Sequence, residues 1–231
     1  VKARAVRPRI RADGAFATAL PCDIAAPEGP SGLIERAADE LGAVDILINS
    51  AGLSSFGALA EEEASKIRRL VEVNLTAAML LAREALPGMM QRASGHIVNV
   101  GSGFGSIAFP RFAVYSATKF ALRGFSEALR RELAGSGIAV TYVAPRTTDT
   151  AMNTQAMREF VARTGAAMDP PEAVARVIAD AIEQGRREVY IGWPERFFAR
   201  VNAIAPGLVD RSLAAGNGRA PARARKPAGT G

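Results

Sequence analysis

The chain has 231 residues and 24.2 kDa, is 48% hydrophobic, 23% charged and 6% aromatic, and so suits one globular domain while excluding a disordered or fibrous protein. With Cys22 its only cysteine and His96, inside a strand-like run, its only histidine, it holds no internal disulfide, no Cys-built zinc site and no Ser-His-Asp or Cys-His pair. The net charge of +6 sits at the ends: residues 14–210 carry 19 basic against 22 acidic residues, which argues against a nucleic-acid role.

In chain order, Phe16 to Ile24 reads as a strand interrupted by Pro21, and Pro27 to Gly42 as a helix with Leu33, Ile34, Ala37, Ala38 and Leu41 on one face. Val44 to Ile48 is a nearly continuous apolar strand, the pattern of a sheet covered on both faces, and leads into the loop Asn49-Ser50-Ala51-Gly52. Glu61 to Gln91 is a long helical stretch, acidic at its start. His96 to Val100 is a strand, Gly101 to Pro110 a loop of small residues, and Phe112 to Leu133 a helix stopped by Gly135-Ser136-Gly137. Ile138 to Val143 is a β-branched strand, residues 146–168 a Thr-rich loop with a helical piece, Pro171 to Gln184 a helix and Glu188 to Ile191 a short strand. Residues 195–213 read as an amphipathic helix pair.

The alternation predicts an α/β fold around a doubly wound, mostly parallel, Rossmann-like sheet. Its domain spans 15–214, between a basic 1–14 segment read as non-native-like and a basic 215–231 tail read as disordered. Such a sheet normally opens with a strand, a Gly-rich turn and a helix that cradles a pyrophosphate, and no such glycine cluster stands before Phe16. The reading is therefore of an N-terminally truncated fold lacking its first strand-helix-strand. No apolar run reaches the ~18 residues of a membrane span, and Ala15 to Leu20 is too short for a signal-peptide core, so a cytoplasmic location is expected.

The chemistry points to one helix. Tyr115 and Lys119, four apart, project from the same face, and a neighbouring ammonium stabilises a phenolate, drawing its pKa from near 10 toward neutrality. Ser102, just past the strand His96 to Val100, offers a hydroxyl to a substrate oxygen at the end of the sheet. Asn74 is a poor helix former inside a helical stretch and needs a reason, whether as a kink residue or in function.

Asp23 after a strand, Asn49-Ser50-Ala51-Gly52, Val73-Asn74, Val98-Asn99-Val100-Gly101-Ser102 and Tyr115-Ser116-Ala117-Thr118-Lys119 together resemble the short-chain dehydrogenase/reductase (SDR) family, in its order and spacing, over about residues 16–192. The resemblance implies an oxidoreductase using NAD or NADP on a carbonyl or secondary alcohol, without a metal. It makes Tyr115 the general acid or base. Lys119 would lower the Tyr115 pKa and hold the nicotinamide ribose, Ser102 would polarise the substrate oxygen, and Asn74 would anchor a proton-relaying water. It further implies that Asp23 touches the adenine, that Asn49, Ala51 and Gly52 line the adenosine side, and that Thr150 contacts the nicotinamide carboxamide.

Three departures from the family's pattern stand out. The Thr-Gly-x-x-x-Gly-x-Gly segment and the second strand, which selects NAD or NADP, are absent, and Ser50 replaces the usual Asn. Arg146 replaces a glycine, so either the turn avoids positive φ or the guanidinium has a partner, for which a cofactor phosphate is one candidate. The family's first two strands would lie between those near Phe16 and Val44, so without them unpaired edges and uncovered apolar faces are expected.

The apolar 151–168 segment, at the family's substrate lid, suggests a hydrophobic small-molecule substrate. Phe197, Phe198, Val201, Ile204, Leu208 and Val209 beside Arg196, Arg200 and Arg211 form a core or dimer face, with a membrane-surface contact by the C-terminal helix as the alternative. The resemblance further implies a homodimer or homotetramer, formed through the two long helices at 61–91 and 112–133. The rival readings are a catalytically silent remnant acting as a binding or subunit partner, and a sugar-nucleotide epimerase or dehydratase, for which residues 146–214 leave little room.

Overall fold

The computed structural model describes residues 14–26, 28–165 and 167–217. Four parallel strands form one sheet in the order β1 (Ile46–Asn49), β2 (Gly95–Val100), β3 (Ile138–Ala144), β4 (Glu188–Tyr190). The helices are α1 (Leu33–Leu41), α2 (Ala64–Val71), α3 (Ala77–Gln91), α4 (Ala113–Glu132), α5 (Gln155–Thr164), α6 (Pro171–Glu183), α7 (Trp193–Ile204) and α8 (Pro206–Asn217). The predicted α/β fold with a parallel sheet is therefore the fold observed.

Period-2 alternation along β2 and β3 sends side chains into two cores. Ile97 and Val140 join Leu81, Ala85, Met89 and Leu129 of α3 and α4 on one face, while Val98 and Val143 meet Ala181 of α6 and Val189 of β4 on the other. Ile97, Val98 and Val143 are fully buried, which explains the continuous apolar runs of these strands.

Several expectations change. Phe16–Ile24 forms no strand: Pro21 has no donor to give a ladder, and no strand among the described residues lies beyond β1 to pair with it. β1 is consequently an edge, with Leu47 in the α3/α4 core but Ile46 and Ile48 each about half exposed, so this strand is not covered on both faces. The helix read from Pro27 begins only at Leu33, because Gly29 and Gly32 take positive φ (61° and 69°) and turn the chain first; Pro27 itself lies outside the described residues. Gly42 ends α1 as expected, its N–H bonded to Ala38 O.

The 61–91 stretch is not one regular helix. A 3₁₀ turn at Leu59–Glu61 precedes α2, and a π turn over Glu72–Thr76 joins α2 to α3. The amphipathic pair at 195–213 is α7 and α8, and α8 extends through residues 215–217 that were read as tail; residues 218–231 and 1–13 lie outside the described residues. Among the described residues no helix is long and apolar enough to cross a membrane.

Candidate active site

The C-terminal ends of the parallel strands open onto a cleft of about 320 Å³ lined by Ser102, Tyr115, Lys119, Gly52, Thr150 and Arg146, among others. Ser102 follows β2 and caps a 3₁₀ turn over Gly103–Gly105, its Oγ accepting from Phe104 N at 3.1 Å. Tyr142 of β3 holds Ser102 from below: its hydroxyl donates to Ser102 O at 3.2 Å and accepts from Ser102 N at 3.4 Å. A Cβ on Gly101 or Gly105 would stand 2.2–2.3 Å from the Tyr142 ring and hydroxyl, so both positions require glycine for this close approach.

Tyr115 and Lys119 lie one turn apart in the first half of α4, and the lysine Nζ is 5.8 Å from the centre of the tyrosine ring. The Ser102 hydroxyl and the Tyr115 phenol line the same cleft. The three residues that the sequence singled out thus share one cleft.

Their electrostatics differ from the expectation. Burial raises the Tyr115 pKa above its ordinary value, and the nearby Ser102 hydroxyl only partly opposes this. Lys119 does not pull it down, because its ammonium is directed to Val100 O at 3.1 Å and is itself pushed down to about 8 by burial. The phenol is therefore held in its protonated form at neutral pH.

The π turn explains Asn74. It turns the carboxamide inward, fully buried, where Nδ2 donates to Leu53 O at 2.9 Å and Thr118 Oγ1 at 3.1 Å while Oδ1 accepts from Leu53 N at 2.7 Å. Asn74 thereby ties the loop after β1 to α4 beside Lys119. A methyl built on Gly52 would stand 3.4 Å from Asn74 Oδ1 and 3.7 Å from Lys119 Nζ, so glycine keeps a small space open between these groups.

The remaining positions divide. Gly52 and Thr150 line the cleft; Thr150 Oγ1 also accepts from Met152 N at 3.3 Å. Asn49 faces the interior, donating to Asn99 Oδ1 at 2.9 Å, and Asn99 in turn donates to Ser126 Oγ of α4. This buried chain braces β1, β2 and α4, and Ser126 carried no sequence signal beyond a polar residue on an apolar face. Ala51 is exposed. Asp23 is a surface residue whose carboxyl is held below its ordinary range by Ala25 N–H and then by the Arg69 guanidinium at 2.9 Å. Arg146 avoids positive φ, and its guanidinium also has a partner, making paired contacts of 2.7 Å to both Asp169 oxygens. His96 is bonded to Thr141 Oγ1 within the sheet, away from the cleft.

An ammonium has three donors, and Lys119 spends one on Val100 O, which leaves two for a pair of ligand hydroxyls at the cleft. With Thr150 nearby, these residues fit the nicotinamide-ribose half of a dinucleotide. No cluster of metal-ligating side chains occurs among the described residues.

The sequence model described as short chain dehydrogenase matches residues 1–159, a span that includes the basic N-terminal segment. The ketoacyl reductase HetN of Nostoc is 33% identical over 208 residues, covering 87% of this chain and 72% of HetN. A fatty acyl-CoA reductase of Mycobacterium tuberculosis is 40% identical over 140 residues, 59% of this chain, which spans about half (48%) of that relative. Among solved structures, a short-chain dehydrogenase from Streptomyces avermitilis superposes with a TM-score of 0.75 at 27% identity, over 95% of this chain and 86% of the other. A metagenomic short-chain oxidoreductase in complex with NADP gives 0.60 at 32% identity, over 62% and 66%.

Proposed function

The chain belongs to the short-chain dehydrogenase family of oxidoreductases, and from that premise we propose that it reduces a carbonyl to an alcohol with NAD(P)H, Tyr115 serving as the proton donor. The observation that carries this reading is the convergence of Ser102, Tyr115 and Lys119 on one cleft at the end of the sheet. A bound NAD(P)H supplies the hydride, held on its nicotinamide side by Lys119 and Thr150.

The protein's own part is binding and proton transfer. Ser102, fixed by Tyr142 and its 3₁₀ turn, donates a hydrogen bond to the substrate oxygen and draws its electron density from the carbonyl carbon. Tyr115 gives its proton to that oxygen as the negative charge develops. Lys119, anchored on Val100 O, keeps two donors that would hold ligand hydroxyls beside the phenol. Asn74 is a positioning residue, and the space beside Gly52 admits a water that returns a proton to the lysine side of the cleft.

The test is Tyr115→Phe, assayed by loss of nicotinamide absorbance against a panel of aldehydes and ketones, with cofactor affinity followed by fluorescence. Turnover falls by at least about 10²-fold with cofactor affinity unchanged. Turnover retained by the variant removes Tyr115 from this role.

A further inference from the structure

The candidate cleft has a neighbour across its Phe104 and Met157 wall. A second cavity of about 490 Å³ adjoins it, and the two share Phe104, Arg146, Thr147 and Met157 as walls. Beyond these residues the second cavity is bounded by Phe112, Val161 of α5, Val201 of α7, and Leu208 and Leu213 of α8. Among the described residues of its wall the charged one, Arg146, is paired with both Asp169 oxygens, so these walls present no net charge to a ligand.

Apolar walls around this much space hold water poorly. Leu208 is 59% exposed and Phe198 52%, large apolar groups that a ligand would cover. The polar chemistry lies on the other side of the shared walls, at Ser102 and Tyr115. One elongated molecule, polar at its reacting end and apolar along its length, satisfies both cavities at once.

Resting on the function proposed above, we propose that the substrate is a carbonyl compound with an unbranched aliphatic chain that runs past Phe104 and Met157 into the cavity under α7 and α8. At about 30 Å³ per water-sized group, the cavity takes a chain on the order of ten or more carbons. Each methylene that enters it tightens binding about fourfold until the space is filled.

The test separates binding from turnover. Calorimetric titration of the whole chain with unbranched alcohols from hexanol to dodecanol shows affinity rising by about this factor per methylene. Leu208→Arg, at an exposed position where folding tolerates the change, weakens dodecanol at least tenfold and leaves hexanol unchanged; Leu213→Trp shortens the longest chain accepted. Affinity independent of chain length, equal losses for both alcohols, or a rigid fused-ring ketone bound more tightly than an aliphatic one overturns the inference. Turnover of short ketones that depends on Tyr115 but not on chain length overturns it alone, whereas chain-dependent binding without any turnover supports it and counts against the catalytic reading.

Discussion

The buried Lys119 makes stability rise with pH in the alkaline range. The residue is 4% exposed, its ammonium donates to Val100 O, and burial moves its pKa from 10.5 to about 8. Because the folded value lies below the unfolded one, the unfolded chain binds the proton more tightly, and stability rises with pH through the window from about 8 to 10.5. The full shift corresponds to on the order of 3 kcal/mol of instability at acidic and neutral pH. Between pH 7 and pH 9.5 about 2 kcal/mol of it is recovered. Tyr115 and Tyr190, with pKa values raised, begin to act in the other direction above pH 10, so the rise is measured below that point. Urea denaturation at pH 7 and 9.5 reads the effect directly. Lys119→Met abolishes the rise and is the more stable protein at pH 7, even after losing the bond to Val100 O, which is worth about 1 kcal/mol. A native chain equally stable at both pH values, or a variant destabilised by the same amount at both, refutes the argument.

Two further perturbations separate scaffold from chemistry. In Gly52→Ala the new methyl meets Asn74 Oδ1 and Lys119 Nζ at ordinary contact distances and φ is not positive, so thermal stability holds within about 1 kcal/mol while kcat/KM for carbonyl reduction falls at least tenfold; undiminished kcat/KM shows that the space is idle. Ser126→Ala removes the acceptor of Asn99 Nδ2 in a fully buried site and costs about 1–3 kcal/mol in urea denaturation, a loss that a neutral substitution contradicts.

The regular elements and the reactive residues were legible in the sequence for physical reasons. Ile138–Ala144 and Gly95–Val100 are central strands, so apolar runs mark them, and Tyr115 and Lys119 meet because a helix returns to the same face in four residues. What was hidden depends on groups distant in sequence. Phe16–Ile24 has strand composition but no ladder, and composition cannot report a missing neighbour. Asn74 was visible as an anomaly, yet the π turn that resolves it comes from bonds to Leu53 and Thr118. The Asp169 partner of Arg146 lies 23 residues away, across α5, and the support of Ser102 by Tyr142 crosses from β2 to β3. The small residues Gly101 and Gly105 were the only trace of that tyrosine.

The raised phenol and the lowered amine together bear on the direction of the proposed reaction. A group that donates a proton to a developing oxyanion needs to carry that proton in the resting state, as the Tyr115 phenol, its pKa raised from 10, does at neutral pH. Lys119 retains its charge there because its pKa, though depressed, stays about one unit above neutrality, so the cation is present when phenolate forms. The raised phenol pKa disfavours the reverse reaction, which requires the phenolate before substrate binds. Carbonyl reduction at neutral pH starts with its proton donor in the protonated form it needs.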